Sequence, residues 1–93
     1  MIYRIITEDK GDHWTQAIEI LVSKSFEGFS IKKQTGYYKG SKENSIVIEI
    51  DTIKPNIDLN VSHKIEKLAS EIRDTLNQEC VLIQRIASYS YLV

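Results

Sequence analysis

The sequence predicts an α+β fold of order β-α-β-β-α-β, the ferredoxin-like arrangement of a four-stranded antiparallel sheet with two helices on one face. Three observations predict it. Four short segments rich in β-branched and aromatic residues (IYRIIT, FSIKKQTGYY, SIVIEID and CVLIQRI) are interleaved with two stretches whose apolar residues recur at helical spacing. The two middle strands are separated only by the polar run KGSKE, which reads as a hairpin. At 93 residues the chain suffices for one domain, 1–93, and right-handed crossovers then place both helices on the same side of the sheet.

The first strand is Ile2–Thr7, followed by the polar turn EDKGD. Asp12 stands where a helix N-cap belongs, and Trp14, Ala17, Ile18, Leu21, Val22 and Ser25 share one helical face. Gly28 is the expected C-cap, and the second strand runs from Phe29 to Tyr38. In the third strand Ile46, Ile48 and Ile50 share one face, opposite Val47, Glu49 and Asp51. Residues 52–60 form a loop around the only proline, and Asp58 or Asn60 can cap the second helix. Its buried stripe is Val61, Ile65, Leu68, Ala69, Ile72 and Leu76, and Asn77 ends it. Cys80 opens the last strand as a small buried residue. Trp14, Ile18, Leu21, Leu68 and Ile72 are the expected core.

Two helices cover only one sheet face, yet the outer strands carry apolar residues on both sides: Ile2, Ile6, Leu82 and Ile86 are left over. An apolar open face asks for a partner, and a second copy is the economical one. A homodimer or higher oligomer is therefore expected.

Composition excludes several classes. Hydrophobic residues make up 42% and charged residues 27%, an ordinary globular balance. Net charge is −1 and the pI about 6.1, so no global field favours nucleic acid or an anionic membrane. No run approaches the roughly 20 apolar residues of a membrane span. The opening MIYRIITEDKGD reaches acidic residues after only a few apolar ones, so no signal peptide is expected. A single cysteine leaves no internal disulfide, and cytoplasmic placement is expected. Abundant isoleucine, lysine and asparagine point to a low-GC bacterium or its phage.

The main candidate site is the hairpin QTGYYKGSKENS. Lys32, Lys33, Lys39 and Lys42 gather around Tyr37 and Tyr38, with Gly36 and Gly40 allowing close approach. Aromatic faces that stack bases, beside ammonium groups that meet phosphates, suit a nucleotide-type anion. Lys33, Tyr37, Tyr38, Lys39, Lys42, Glu43 and Gln78 are the expected ligand-binding residues. Nucleic acid itself is disfavoured, because the third strand exposes no aromatic and carries Glu49 and Asp51. A second cluster, Glu8, Asp9, Asp12 and His13, could hold a metal or run acid–base chemistry, although its spacing matches no metal motif. No Gly-rich phosphate loop is present and no cofactor is expected.

An ordered set of residues carries a resemblance: Phe26, Phe29 and Ser30, then Gly36 and Tyr38, then Glu43, then Gln78, Glu79, Val81 and Leu82. From Trp14 onward the chain resembles a family of small bacterial and phage proteins of uncharacterised activity, and it looks more like the cytosolic, phage-borne members. The resemblance marks the hairpin and the Gln78–Glu79 corner as family features. The expected function is a small non-enzymatic binding protein that counters host defence, by sequestering a nucleotide-type signal or blocking a defence protein. The alternatives are a small, metal-assisted enzyme using Glu8, Asp12 and His13, and a purely structural oligomer.

Overall fold

The computed structural model describes residues 1–53, 58–88 and 91–93. They form β1 (Ile2–Glu8), α1 (Asp12–Ser23), β2 (Ser30–Tyr38), β3 (Ser41–Asp51), α2 (Leu59–Thr75) and β4 (Leu82–Ile86). The sheet is antiparallel, in the order β2-β3-β1-β4. In β1 the side chains alternate, with Tyr3, Ile5 and Thr7 buried and Ile2, Arg4 and Ile6 half-buried on the opposite face. Ile46, Ile48 and Ile50 of β3 join the inner face. Ile18 and Val22 of α1 and Ile65, Leu68, Ala69 and Ile72 of α2 pack on it in one buried cluster. Both helices therefore cover the same side, which is the ferredoxin-like fold.

The ends of α2 follow from its sequence. The Asp58 carboxylate accepts the backbone N–H groups of Asn60 and Val61, a cap that stabilises a helix by about 1 kcal/mol. At the other end Asn77 adopts a left-handed conformation (φ 53°). Its N–H donates to the Asp74 carbonyl and that of Gln78 to the Arg73 carbonyl, satisfying the last carbonyls and turning the chain sharply.

Helix α1 departs from expectation at both ends. Asp12 is its first residue and caps nothing; Gly11 (φ 107°) holds the N-cap position. The Asp9 carboxylate accepts the Gly11 N–H at 2.9 Å and closes the turn before Asp12 is reached. The helix ends at Ser23 rather than Gly28, because the N–H groups of Ser25 and Phe26 both turn back to the Val22 carbonyl. Trp14 is not core: it is 37% exposed and meets His13 edge-on with ring centroids 5.8 Å apart. The buried residues of α1 lie in its second half, so its first turn reaches past the packed surface. Cys80 is exposed, and β4 begins only at Leu82.

The hairpin is tighter than its polar sequence suggests. Tyr38 pairs with Ser41, so only Lys39 and Gly40 form the turn rather than all of KGSKE. Both have positive φ (49° and 78°), as a two-residue turn matched to strand twist requires. β1 pairs with β3 only as far as Glu8 opposite Ser45. Residues 35–38 and 41–44 therefore form a two-stranded arm beyond the sheet, about 14 Å long at roughly 3.4 Å per residue.

On the open face Val47, cross-strand partner of Ile6 and Lys32, is buried, while Leu82 is 53% exposed. Glu49 accepts from Arg4 Nε at 2.8 Å and pairs with Lys32 Nζ at 2.9 Å. The Lys32 ammonium chiefly, with the Arg4 guanidinium, holds the Glu49 carboxyl below its ordinary 4.5, outweighing the opposite push of partial burial. A carboxyl depressed in the folded state stabilises above its unfolded pKa, and that contribution is lost as pH falls through the folded value. Glu49→Gln is thus expected to flatten the fall in stability below about pH 4.5, measured by urea unfolding across pH. An unchanged pH profile would show that the pair contributes nothing.

Candidate functional site

Three chain segments meet where the arm leaves the sheet. The end of β1 supplies Thr7 and Glu8, with Asp9 following; the start of β3 supplies Lys42, Glu43, Asn44 and Ser45; the approach to β4 supplies Gln78, Cys80, Val81 and Leu82. With Ile6 they line a cleft of about 620 Å³, within the range of small-molecule sites. The Asp9 N–H donates to the Asn44 carbonyl at 3.0 Å and ties the end of β1 to the base of the arm.

Register explains which groups converge. Glu8 stands opposite Ser45, and Gly36 opposite Glu43. Glu8 and Glu43 are consequently diagonal neighbours on the open-face side of adjacent strands, where Gly36 contributes no side chain beside Glu43. Among the described residues neither carboxylate has a hydrogen-bond or ion-pair partner. Asp9 adds a third carboxylate against the single ammonium of Lys42. Such a cleft favours a cation. Behind it Thr7, only 4% exposed, donates its hydroxyl to Gln78 Oε1 at 2.8 Å. Lys10 donates to the Leu76 carbonyl at the end of α2, a position where a cation also meets the helix dipole favourably.

The expected ligand residues divide into two groups. Lys42, Glu43 and Gln78 line the cleft, and Lys33, Tyr37, Tyr38 and Lys39 do not. Lys33 pairs with Asp12 at 3.3 Å, which also draws Asp12 away from any joint role with Glu8. Tyr37 and Tyr38 are 74% and 63% exposed towards the tip of the arm, and Lys39 Nζ lies 5.5 Å from the Tyr38 ring centroid. Tyr38, opposite Ser41, does share its arm face with Glu43. Among the described residues no cluster of His, Cys, Asp and Glu could hold a metal, so Glu8, Asp12 and His13 do not converge as a metal centre. Thr7 escaped the sequence reading, although its place after Tyr3 and Ile5 on the inner face of β1 already required a buried hydroxyl with a partner. Among the described residues no helix is long and apolar enough to cross a membrane.

No family model matches the sequence, and no curated protein matches it. Among solved structures it is similar to a phage SAM lyase in complex with S-methyl-5′-thioadenosine, with a TM-score of 0.64 and 19% identity over 88% of this chain and 76% of that one. It is also similar to a phage SAM lyase in the apo state, with a TM-score of 0.62 and 23% identity over 98% of this chain and 91% of that one. The fold is shared.

Proposed function

We propose that the cleft binds S-adenosylmethionine and that the chain cleaves it, releasing S-methyl-5′-thioadenosine. The observation that carries the reading is the pair of carboxylates, Glu8 and Glu43, without partners among the described residues, at a ligand-sized cleft on this fold. The ligand carries a sulfonium, an ammonium and one carboxylate and is net positive, so it suits a surface with more carboxylates than ammonium groups. A phosphate-bearing signal would be repelled there, which moves the ligand class from a nucleotide anion to a nucleoside cation. In the reaction the bond from sulfur to the amino-acid side chain breaks, its electron pair stays on sulfur, and the neutral thioether departs. A lyase adds no water: either the fragment's own carboxylate oxygen bonds to the γ-carbon as the C–S bond breaks, closing a lactone, or a base takes a proton from the β-carbon and that C–H pair becomes a C=C bond. Glu8 and Glu43 hold the cation and exclude the anion, and Gln78 contacts the nucleoside.

Loss of a methyl donor would disarm host defences that depend on methyl transfer, consistent with a phage-encoded counter-defence protein in the host cytoplasm. Sequestration without cleavage is separated by the same assay: incubation with S-adenosylmethionine and chromatography for S-methyl-5′-thioadenosine. Product formation supports the lyase, tight binding without product supports sequestration, and neither result leaves the cleft unrelated to this ligand.

Tyr38 and Lys39 do not line the cleft and are proposed to meet the ligand from the arm tip. An aromatic contact of the kind that stacks a base is worth about 1–3 kcal/mol, so Tyr38→Ala is expected to weaken binding roughly tenfold or more without unfolding the protein. Lys39→Ala should matter less as salt rises. If both variants bind like wild type at low salt, the arm tip is an ordinary turn.

Self-association through the open face belongs to the same proposal. Ile6 and Leu82 lie on that face and also line the cleft, so a second copy seated there narrows its mouth. Leu82→Lys would set a charge in an apolar contact and is expected to give monomers by sedimentation. A wild type that sediments as a monomer at high concentration would end the idea.

A further inference from the structure

We infer that Thr7 and Gln78 form a preset hydrogen-bond donor that reads a ring-nitrogen acceptor on the base of the ligand, so that the cleft selects its ligand by the purine edge. The inference rests on reading the cleft as a nucleoside site. Gln78 is fixed from both ends. Its backbone is set by the reversed turn closing α2, where its N–H donates to the Arg73 carbonyl. Its side-chain oxygen is occupied by the hydroxyl of Thr7, itself locked in β1 opposite Ile46.

A carboxamide offers one acceptor oxygen and two N–H donors. Thr7 engages one of the oxygen's two lone pairs, while Gln78 Nε2, buried with almost no accessible surface, has no hydrogen-bond partner among the described residues. A buried donor left unmet costs free energy, which an arriving acceptor recovers. The opposite orientation would turn the oxygen towards a cleft already lined by Glu8, Asp9 and Glu43, and like partial charges disfavour it. Adenine presents ring nitrogens N1, N3 and N7 as in-plane acceptors, each complementary to an amide N–H. Thr7 acts through Gln78 and is a positioning residue.

The test measures by calorimetry the affinity of S-methyl-5′-thioadenosine and of its 1-deaza, 3-deaza and 7-deaza analogues, each with one ring nitrogen replaced by C–H. Wild type is expected to bind one analogue roughly tenfold or more weakly than the parent, about 1.4 kcal/mol. That penalty should vanish in Gln78→Ala and in Gln78→Met, which keeps the side-chain length without the donor. Thr7→Val should shrink the penalty and Thr7→Ser restore it, a rescue that a packing role would not produce. If the parent binds and no analogue is penalised, or the penalty survives in both Gln78 variants, the donor assignment is wrong while the cleft remains a nucleoside site. If the parent does not bind wild type, the site reading falls and the donor assignment with it. Should a Gln78 variant fail to fold, the wild-type analogue series alone decides.

Discussion

Leu68→Ala is expected to lower the stability of the fold by about 2–5 kcal/mol. Leu68 is 2% exposed in the middle of α2, between Ile65 and Ile72, which are buried in the same cluster facing Tyr3, Ile5 and Ile48. Truncation removes the Cγ methine and both δ-methyls and leaves a cavity that a helix held at both ends by Asp58 and Asn77 has little freedom to close. For a domain of 93 residues the whole folding free energy is on the order of 5–14 kcal/mol, so a loss of this size takes a large share. Urea unfolding should show a lower midpoint with an unchanged slope, since the surface exposed on unfolding hardly changes. Trp14→Ala should cost less than its side-chain size suggests, because much of that ring already meets solvent. Equal midpoints for wild type and Leu68→Ala would remove this face of α2 from the core.

The contrast between Leu68 and Trp14 marks how far periodicity carries. The stripe of α2 and the alternation of β1 were legible because every position on them faces one continuous surface, so spacing alone decides burial. In α1 the same 3.6-residue spacing put Trp14 on the right side, but where the covered surface stops along the helix depends on how the helix sits, which no local pattern encodes. The hairpin failed for another reason. Lys42, Glu43 and Asn44 are strand residues in an arm solvated on both faces, so they lack the alternation that identifies a half-buried strand and read as loop. Once Lys39 and Gly40 are seen as the turn, Gly36, Tyr38 and Glu43 fall on one face of the arm, a relation their separation in sequence hides. The cleft was legible in pieces. Glu8 and Glu43 were each singled out in different clusters, and only the pairing of β1 with β3 brings them together. The Thr7–Gln78 contact joins residues 71 positions apart: the alternation of β1 calls for a partner to the Thr7 hydroxyl, but nothing local says that Gln78 supplies it.

On the proposed reading, Glu43→Gln is expected to weaken binding of S-adenosylmethionine by roughly 10- to 150-fold, the equivalent of about 1.5–3 kcal/mol for a hydrogen bond or contact to a charged group. Glutamine keeps the size and reach of the side chain and removes only the charge, so the loss reports electrostatics rather than shape. Glu43 has no partner among the described residues, and its exposed carboxylate stands diagonal to that of Glu8. Two like charges at that separation repel mildly in the free protein, and the bound cation relieves the repulsion. The free protein should therefore be as stable as wild type or slightly more so, which separates this variant from a folding defect. Raising the salt concentration should narrow the gap between the two proteins, because an exposed charge contact is screened. S-methyl-5′-thioadenosine carries no sulfonium charge, so its affinity should change far less than that of S-adenosylmethionine. That inequality is the decisive measurement. If Glu43→Gln weakens the cationic ligand and the neutral thioether by the same factor, Glu43 shapes the cleft without sensing charge, and the cation-binding account of this site has to be abandoned.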